Sequence, residues 1–351
     1  MEQHNTMTIG IDLGDRFSFF AVLNDAGEVV ERERIVTHID SFERAFAARP
    51  AARIVIEAST HSRWVSSLLA ELGHEVLVAN PRRLALIYGQ DRKNDKRDAE
   101  LLARVGRLDP ELLCPVWHRS NQAHADLSLV RMRNQLVELR TKLISSVRGM
   151  VKSHGQRLPT CSTETFHDKV AEHIPELLKA VTASALRTLA QLSEEVRGLD
   201  RQIESLARTR YPETAALRQV AGVGPVTALT FVLTVERPER FRHSREVGAY
   251  LGLVPRQDQS GDTDKQLRIT KAGNVYLRKL LVQCAHYVLG AFGPDTDLRR
   301  WGLALAERGG RNAKKRAIVA VARRLAVLLH RLWRSGQVYV PLGYRSVAHA
   351  A

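Results

Sequence analysis

Four carboxylates near the start of the chain have a placement that suits metal-assisted chemistry. Asp12 and Glu57 each end a short apolar segment of strand type, where an unpaired acid is costly unless a cation lies beside it. Asp95 and Asp98 are three residues apart and therefore share one face of a helical turn. Hard oxygen ligands suit Mg²⁺ or Mn²⁺, and two such ions about 4 Å apart could clamp the attacking and leaving oxygens of a phosphoryl transfer. The four acids therefore predict a divalent metal site, although for Asp95 and Asp98 alone a helix N-terminus that favours acids is the simpler interpretation.

A glycine-rich turn stands in the second half of the sequence, within the segment Ala221-Gly-Val-Gly-Pro225. Gly222 and Gly224 would let backbone N–H groups approach a phosphate closely, and Pro225 suits the first position of the next helix. The pattern resembles the turn of a helix-hairpin-helix, which predicts contact with nucleic acid. A glycine-rich turn between two helices that binds nothing is the alternative.

Ser260 precedes a glycine in a polar stretch, Gln259-Ser260-Gly261. Residue types alone predict a serine in a surface loop, since no histidine or lysine base stands beside it in an obvious motif. Composition therefore gives Ser260 no chemical role.

Basic side chains are concentrated in the C-terminal quarter. The chain holds 53 Lys and Arg against 38 Asp and Glu, a formal net charge of +15. Residues 1–119 hold 16 basic and 18 acidic side chains, whereas residues 265–345 hold 17 basic and 3 acidic ones. Such a surface attracts polyanions, most commonly nucleic acid, although a solubilising face of cations would have the same composition. The predicted nucleic-acid contacts are Lys265, Arg268, Lys271, Arg278, Lys314, Lys315 and Arg316.

Composition excludes several other classes of protein. At 351 residues, with 44% apolar and 26% charged residues, the chain suits two or three globular domains. No apolar run approaches the roughly 18 residues of a membrane-spanning helix, and the first residues lack the basic and apolar regions of a secretion signal. The 3 cysteines are far apart, without a Cys-x-x-Cys pair, which excludes a disulfide scaffold or a thiolate zinc site. We therefore expect a cytoplasmic protein with no membrane partner.

The elements that must position the four acids alternate between strands and helices. Three strands come first, and further strands then alternate with helices, a pattern typical of a mixed sheet covered by helices. The strands are expected over 8–13, 17–23, 28–36, 53–57 and 75–79, and the helices over 40–48, 61–72 and 95–107.

The hydrophobic period changes to that of helices from about residue 120. Two apolar series step by three or four residues: Met132, Leu136, Leu139, Leu143, Val147 and Met150, then Leu189, Leu192, Val196, Leu199, Ile203 and Leu206. A break around Pro159 separates them, so they predict a long antiparallel helical arm. Its apolar seam serves either a dimer or packing within the same chain. A second compact unit is expected after 211–212, with a basic helical tail from about 296.

Six segments, taken in order, resemble the DEDD transposases of bacterial insertion sequences. They are Ile9-Gly-Ile-Asp-Leu-Gly14, Val55-Ile-Glu-Ala58, Lys93-Asn-Asp-Lys-Arg-Asp-Ala99, Val220-Ala-Gly-Val-Gly-Pro-Val-Thr-Ala228, Tyr250-Leu-Gly-Leu-Val-Pro-Arg256, and Gln259-Ser-Gly261 followed by Ile269-Thr-Lys-Ala-Gly-Asn274 and Leu277-Arg278. The family consists of recombinases guided by a bridge RNA. The resemblance implies an α/β, ribonuclease H-like domain similar to Holliday-junction resolvases, then an all-α part with a coiled-coil arm and a mainly helical transposase domain that carries the helix-hairpin-helix-like turn.

The same resemblance implies a division of the chain into four parts. The resolvase-like catalytic domain would span 1–118 and the helical arm 119–209. The transposase domain with the nucleophilic serine would span 210–295, and basic helices and a tail would occupy 296–351.

Chemical roles for five residues also follow from the resemblance. The family's metal-binding acids fall on Asp12, Glu57, Asp95 and Asp98, and its nucleophilic serine falls on Ser260. The implied function is RNA-guided strand cleavage and exchange through a phosphoserine intermediate, assisted by Mg²⁺ or Mn²⁺. The implied partners are DNA of the element ends and target, a structured guide RNA, and further copies of the chain in a dimer or tetramer. The implied location is the nucleoid of a bacterial cell.

Other functions remain open from the sequence alone. A metal-dependent Holliday-junction nuclease would use the acids to activate water and would leave Ser260 without a role. A sugar-kinase or actin-like ATPase would also begin with Ile-Asp-Leu-Gly, but the chain lacks a threonine after Gly14 and a recognisable second phosphate or adenosine motif. A non-enzymatic RNA-binding scaffold would need the four acids to be a coincidence.

Overall fold

A computed structural model describes residues 7–84, 95–260 and 263–343. The chain divides into two compact units, residues 1–119 and residues 120–351. Within the described ranges, no helix combines the length and the apolar character needed to cross a bilayer.

The first unit is built on a five-stranded mixed sheet. Its strands are β1 (Thr8–Asp12), β2 (Phe17–Leu23), β3 (Val29–Val36), β4 (Arg53–Glu57) and β5 (Glu75–Ala79), in the order β3-β2-β1-β4-β5. Strands β1, β2 and β3 pair antiparallel, whereas β1 pairs with β4 and β4 with β5 in parallel. An antiparallel meander followed by parallel strands that are connected through helices is compatible with a ribonuclease H-like domain.

Helices lie on both faces of this sheet, because its central strands are apolar on both faces. They are α1 (Ile39–Phe46), α2 (Ser62–Glu71), α3 (Pro81–Leu84) and α4 (Asp95–Leu108), and a 3₁₀ turn follows at Pro110–Leu113. Ile54 and Ile56 face a core shared with α1 and α2, whereas Val55 faces α4. All three side chains are fully buried, so β4 is a central strand.

Helix α4 lies directly on the backbone of β1 and runs antiparallel to it. A Cβ on Gly10 would lie 2.0 Å from the carbonyl oxygen of Ala99 and 2.4 Å from the amide nitrogen of Ala103. Near the other end of the helix, the carbonyl of Gly106 accepts a 3.3 Å hydrogen bond from Arg53, the first residue of β4. The end of α4 therefore lies where β4 begins, and its start lies toward the ends of β1 and β4.

The second unit begins with a long helical hairpin. Helices α5 (Asn121–Ser153) and α7 (Glu176–Thr209) contain 33 and 34 residues, and between them lie a short helix, α6 (Phe166–Lys169), and a 3₁₀ turn at Ala171–His173. The long helices are antiparallel, since Arg133 pairs with Asp200 and Arg140 faces Ser193. The predicted seam of α7 therefore packs against α5 of the same chain.

The apolar series predicted for α5 is only partly right. Met132 and Leu139 are 55% and 53% exposed. Nearer the tip of the hairpin the buried apolar positions are Ile144, Val147 and Val151, of which only Val147 belongs to the predicted series. The difference arises because a polar layer, and not an apolar seam, fills the middle of the hairpin.

Two arginines of α5 form this polar layer. Arg133 donates hydrogen bonds of 2.8 and 3.1 Å to the carboxylate oxygens of Asp200 on α7. Arg140 is 5% exposed and lies 3.4 Å from Ser193 Oγ and 3.3 Å from Thr163 Oγ1, and its Nε has no acceptor among the described residues. Burial lowers the pKa of the Arg140 guanidinium, because the charged group loses hydration.

Shorter helices and a β-hairpin complete the second unit. The helices are α8 (Thr214–Arg218), α9 (Pro225–Val235), α10 (Glu246–Tyr250), α11 (Val275–Leu289), α12 (Asp297–Glu307) and α13 (Ala313–Ser335), with a 3₁₀ turn at Pro238–Arg240. Strands β6 (Pro255–Ser260) and β7 (Thr263–Ile269) pair antiparallel. Helix α9 is buried from residue 227 to 235 and packs with α11 and α13 in the main core of the unit, as an all-apolar helix must.

The predicted strands and helices of the first unit are confirmed to within two residues at each end, and the predicted helical arm is confirmed as a hairpin. The prediction of loops through Ser260-Gly261 is wrong, because Pro255–Ser260 forms β6. This strand reads Pro-Arg-Gln-Asp-Gln-Ser, without the β-branched and aromatic residues by which strands are recognised in a sequence.

Candidate active site and nucleic-acid interface

Asp12 and Glu57 lie side by side at the carboxyl edge of the sheet in the first unit. Asp12 is the last residue of β1 and Glu57 is the last residue of β4. The two strands are parallel neighbours in which Ile11 lies opposite Ile56, so the next residue of each strand is the acid. Strand spacing therefore separates the two backbones by about 4.8 Å at this point. Both acids are half-buried, and both take part in polar interactions.

The start of α4 brings Asp98 to the same edge. Because α4 runs antiparallel to β1 with Ala99 against Gly10, its first turn lies beyond Gly10, in the direction of Asp12. Asp98 immediately precedes Ala99 and is half-buried. Asp95 is the first residue of α4, and its side chain lies outside the described part of the structure. The fold thus brings three of the predicted acids to one edge, and the position of the fourth carboxylate stays a prediction.

This edge offers oxygen donors of the kind that a divalent cation takes. No three described His, Cys, Asp or Glu side chains form a group that could hold a metal ion, and the carboxylate of Asp95 lies outside that comparison. Carboxylates from two strand ends and one helical turn nevertheless suit Mg²⁺ or Mn²⁺ in donor type, since both ions prefer oxygen ligands. The described residues therefore fit a hard cation in their chemistry, without forming a complete cage.

A histidine not expected from the sequence lies just beyond the end of β4. His61 Nδ1 accepts a 3.1 Å hydrogen bond from Trp64 Nε1, and His61 Nε2 is 3.6 Å from Asp15 Oδ1, in the segment after β1. Since an indole only donates, Nδ1 is unprotonated and the neutral ring carries its proton on Nε2. The contact with Asp15 is weak, because that side chain is 95% exposed and the separation is longer than a hydrogen bond. The sequence signal for His61 is a histidine at a helix N-terminus soon after a strand that ends in an acid.

Ser260 lies at the end of a strand and not in a loop. It is the last residue of β6 and is opposite Thr263, the first residue of β7, at the tip of the hairpin. Side chains of 258–266 lie outside the described part, so the direction of the Ser260 hydroxyl stays a prediction. Pro255 and Leu267, nearer the base of the hairpin, are exposed. The base of the hairpin is therefore exposed to solvent at these two residues.

The predicted glycine turn joins α8 to α9. Gly222 has a φ of +85°, a conformation that favours glycine, and a Cβ there would lie 2.7 Å from Cδ1 of Tyr287. Gly224 is the N-cap of α9 and Pro225 is its first residue, as the sequence predicts. No described side chain caps this helix, and the first amides of a helix have no intrahelical acceptor. The turn therefore presents backbone N–H donors of the kind that phosphate contacts need.

A cavity of about 530 Å³ lies beside this turn. Besides Gly222 and Gly224, its lining includes side chains that are absent from the predicted set, among them Arg218 of α8 and Gln283 and Tyr287 of α11. Gln283 and Tyr287 are four residues apart and both exposed, so they share one face of α11. An amide and an aromatic ring four residues apart on one helix are the sequence signal that points to them.

Most of the predicted basic contacts lie at the surface. The exposed ones are Arg268, Lys271, Lys314, Lys315 and Arg316. The last three occupy the first turn of α13, and none of them forms an ion pair with a described carboxylate. Lys265 belongs to β7, and its side chain lies outside the described part of the structure.

Arg278 differs from the other basic residues because its side chain is buried. It is 9% exposed, and its Nη1 donates hydrogen bonds of 3.0 Å to the carbonyl oxygen of Leu251 and 2.6 Å to that of Ala272. The guanidinium therefore holds two backbone segments together and does not face a ligand. The sequence does not reveal this, because the two carbonyls that accept its hydrogen bonds belong to segments outside α11.

His330 lies on the buried face of α13. Its Nδ1 is 2.9 Å from Ser244 Oγ, and its Nε2 is 2.9 Å from the carbonyl oxygen of Pro238. Burial lowers the pKa of His330, because a charged ring would lose its hydration there. The neutral ring therefore donates from Nε2 to Pro238 and accepts at Nδ1 from the Ser244 hydroxyl. These bonds fix α13, which carries the basic surface, to the rest of the unit.

Two family models match separate parts of the chain. Residues 9–155 match the DEDD transposase family of IS110 type, and this range contains the carboxyl edge. Residues 214–299 match the family described as Transposase IS116/IS110/IS902, and this range contains the glycine turn and the β6–β7 hairpin.

Curated relatives match over most of their length. A probable family 20 transposase of Pseudomonas aeruginosa is 30% identical over 346 residues, which cover 96% of this chain and 99% of the relative. The transposase for insertion sequence element IS1111A of Coxiella burnetii is 25% identical over 340 residues, which cover 94% of this chain and 90% of the relative. A pilin gene-inverting protein of Moraxella bovis is 25% identical and covers 82% and 81%.

Proposed function

The chain belongs to the IS110 family of DEDD transposases, enzymes that cleave and rejoin DNA, and on this premise we propose how its residues carry out the reaction. We propose that it moves an insertion sequence by RNA-guided strand cleavage and exchange through a phosphoserine intermediate. The observation that carries the proposal is the convergence of Asp12, Glu57 and the Asp98 turn at one sheet edge. The relative named as a pilin gene-inverting protein supports cutting and rejoining at defined sites.

The acids of the first unit are the proposed metal-binding half of the reaction. Asp12, Glu57 and Asp98, together with Asp95, would hold Mg²⁺ through carboxylate oxygens. A bound cation of this kind offsets charge on a phosphate and assists the deprotonation of a hydroxyl. The chain's own contribution is position, because the register of β1 and β4 sets the spacing of two acids and the close contact at Gly10 holds the third.

Ser260 is the proposed nucleophile. Its Oγ attacks a DNA phosphorus, an Oγ–P bond forms, one P–O bond of the strand breaks, and the departing oxygen takes up a proton to leave a free strand end. The serine proton passes to a carboxylate or to water. Attack of a new strand end on the phosphoserine reverses these steps, so the phosphodiester energy is retained and no ATP is required.

The basic surface of the second unit is proposed to hold nucleic acid by its backbone. Lys314, Lys315 and Arg316 would contact phosphates, and base pairing with a structured guide RNA would supply sequence recognition of donor and target. We also propose a homo-oligomer, dimer or tetramer, because one chain holds a single Ser260 and an insertion sequence has two ends. The four-part division at 118, 209 and 295, a place in the bacterial cytoplasm at the nucleoid, and the absence of a membrane partner belong to the same proposal.

A metal-dependent junction nuclease is the second candidate function. It is favoured by one observation, that the carboxyl edge lies within a compact unit of its own, residues 1–119, which does not contain Ser260. In that reaction, water attacks the phosphorus and no protein–DNA bond forms.

A denaturing gel separates the two candidates. Labelled DNA with both element ends is incubated with the full chain, RNA and Mg²⁺, and a covalent protein–DNA adduct is sought. Wild-type protein should give the adduct and recombined DNA. Ser260→Ala should give neither and should bind DNA as wild type does, because it lacks only the attacking oxygen.

Ser205→Ala is a matched control, since Ser205 is an exposed serine of the same unit, in α7. This variant should still form the adduct. Adduct formation by Ser260→Ala would mean that another residue is the nucleophile, and strand cleavage without any adduct, by wild type or by Ser260→Ala, would favour the water-activating nuclease.

A further inference from the structure

The cavity beside the glycine turn is a depression open to solvent, with the volume of a ligand site. Its volume of about 530 Å³ falls within the range of about 300–1,000 Å³ that is usual for small-molecule sites. One wall is the backbone of 220–224, another is the first turn of α9, and a third is the outer face of α11. Apolar contacts from Leu280 and Cys284 lie in the depth of the cavity, since both residues are buried.

Tyr287 forms the aromatic wall of this cavity. It is 45% exposed, and no hydrogen bond or ring contact of its side chain occurs among the described residues. Its ring lies so close to the turn that a Cβ on Gly222 would be 2.7 Å from Cδ1. The turn therefore supports the ring on one side and leaves the rest of it toward solvent. An exposed aromatic ring without internal partners is available for stacking.

Polar groups surround this ring. Gln283 presents an exposed side-chain amide four residues before Tyr287, and Arg218 also lines the cavity and pairs with Glu204 at 2.7 Å. Gly224 also lines the cavity, and the space next to it is open, because no atom lies within 4 Å of the position that its Cβ would take. A flat ligand with an apolar face and a polar edge fits these surroundings.

We propose that this cavity takes an unstacked nucleobase, which stacks on Tyr287 while Gln283 meets its hydrogen-bonding edge. Single-stranded and unpaired bases are bound in this way, by stacking on aromatic side chains and by amide contacts to the base edge. The site reads an unpaired position in a nucleic acid whose backbone the basic surface holds. This inference rests on the proposed nucleic-acid binding of the second unit and adds the feature of the nucleic acid that is recognised.

Fluorescence anisotropy with the full chain tests the proposal. The probes are a fully paired duplex and the same duplex with one unpaired adenine, each made as DNA and as RNA so that the two sources of the base are distinguished. Wild type should bind the probe with the unpaired adenine about tenfold more tightly in at least one of the two series, which corresponds to the stacking of one base on an aromatic ring. Tyr287→Leu should lose this preference, and Tyr287→Phe should keep it because the ring remains.

Two further variants complete the design. Gly224→Val should also lose the preference while folding normally, since the residue has an ordinary backbone conformation and its side chain would stand in open space within the cavity wall. Phe292→Leu is the matched control, because Phe292 is 87% exposed just after α11 and does not line the cavity.

The possible failures are distinguishable. Equal affinity of wild type for paired and unpaired probes, or an unchanged preference in Tyr287→Leu, would overturn the nucleobase site and leave nucleic-acid binding intact. Loss of the preference in Phe292→Leu would also overturn it, since the effect would not belong to the cavity. If wild type binds none of the four probes, the proposed binding function of the second unit fails as well.

Discussion

The carboxyl edge of the first unit and the glycine turn of the second unit position polar groups in different ways. At the carboxyl edge, Asp12 and Glu57 are side chains whose neighbourhood is set by the register of two buried strands. At the turn, the donors are backbone groups of Gly222 and Gly224, and the side chains around them come from α8 and α11. The first arrangement concentrates negative charge, and the second belongs to the unit that carries the basic surplus of the chain.

The contrast teaches that the two regions tolerate change differently. A register of buried strands cannot shift by one residue without turning every side chain to the opposite face. A surface cavity between helices can lose one side chain while its walls remain. Substitutions at the carboxyl edge should therefore abolish a function, whereas substitutions around the cavity and on the basic surface of the second unit should reduce one by degrees.

The largest effect is expected for Asp12→Asn. The amide keeps the shape of the side chain and removes its charge, so cation binding should fail and strand cleavage should fall by about a thousandfold, a barrier change of several kcal/mol. Cleavage of labelled element-end DNA measures the rate, and anisotropy should show DNA affinity within about twofold of wild type. Asp15→Asn is the control, because Asp15 is exposed beyond the end of the same strand. Equal loss in both variants would break the comparison.

The next effect concerns the contact between α4 and β1. Gly10→Ala would place a Cβ 2.0 Å from a backbone oxygen and 2.4 Å from a backbone nitrogen, and neither atom can move without displacing α4. We expect the free energy of unfolding to fall by about 3 kcal/mol, and cleavage to fall with it as Asp98 shifts. Urea unfolding followed by circular dichroism measures the first quantity.

Gly149→Ala is the matched glycine control for that experiment. Gly149 lies within α5, and no atom is within 4 Å of its Cβ position. Alanine is the better helix former, so this variant should be more stable by up to about 1 kcal/mol. A Gly10→Ala protein as stable as wild type would mean that α4 is not held at the sheet as described.

A smaller effect is expected when three cations are removed from α13. Lys314, Lys315 and Arg316 changed together to Gln should reduce the slope of log affinity against log salt by about one unit for each cation that contacts a phosphate. Anisotropy at several salt concentrations measures the slope. Three exposed arginines of the first unit provide the control: Arg16, Arg44 and Arg82. An equal change of slope in both triple variants would remove the distinction between the units.

The smallest effect is a pH dependence of stability that originates at His330. Its pKa in the folded chain lies below the ordinary value of about 6.5, so the unfolded chain binds the proton first as pH falls. The stability that the neutral ring provides is complete above pH 6.5 and is lost progressively below it. Thermal unfolding between pH 8 and 5 should show this trend, and His330→Asn should flatten it. The exposed His243→Asn serves as the control and should keep the wild-type trend.

The fold of the first unit was predictable because its signals are local. β2, β4 and β5 have the predicted bounds, since each is an apolar, β-branched run closed by a turn or an acid. The acids at the carboxyl edge were predictable for the same reason, because an acid at the end of an apolar run is visible in the sequence. Their neighbourhood needed the structure, because the pairing of β1 with β4 joins residues about 45 positions apart.

The second unit was less predictable because its signals are not local. Strand β6 is polar, so no period marked it, and the burial of Arg278 depends on carbonyls supplied by other segments. The cavity brings Arg218 beside Tyr287, residues that are far apart in sequence. Residue types alone identified the glycine turn but not the helix face that completes it.

The polar layer in the middle of the helical hairpin fixes the register of its two long helices. If α5 slid along α7 by one heptad, the bond between Arg133 and Asp200 would break, and Arg133 would lie opposite Ala207 or Ser193. With its register fixed, α5 extends over about 50 Å, at 1.5 Å per residue. Seven residues added to each long helix on the tip side of the layer would extend its reach by about 10 Å and turn the tip by only about 20°. Seven added residues would thus change the length of the arm with little rotation of its tip, whereas four added residues would change both the length and the direction in which the tip faces.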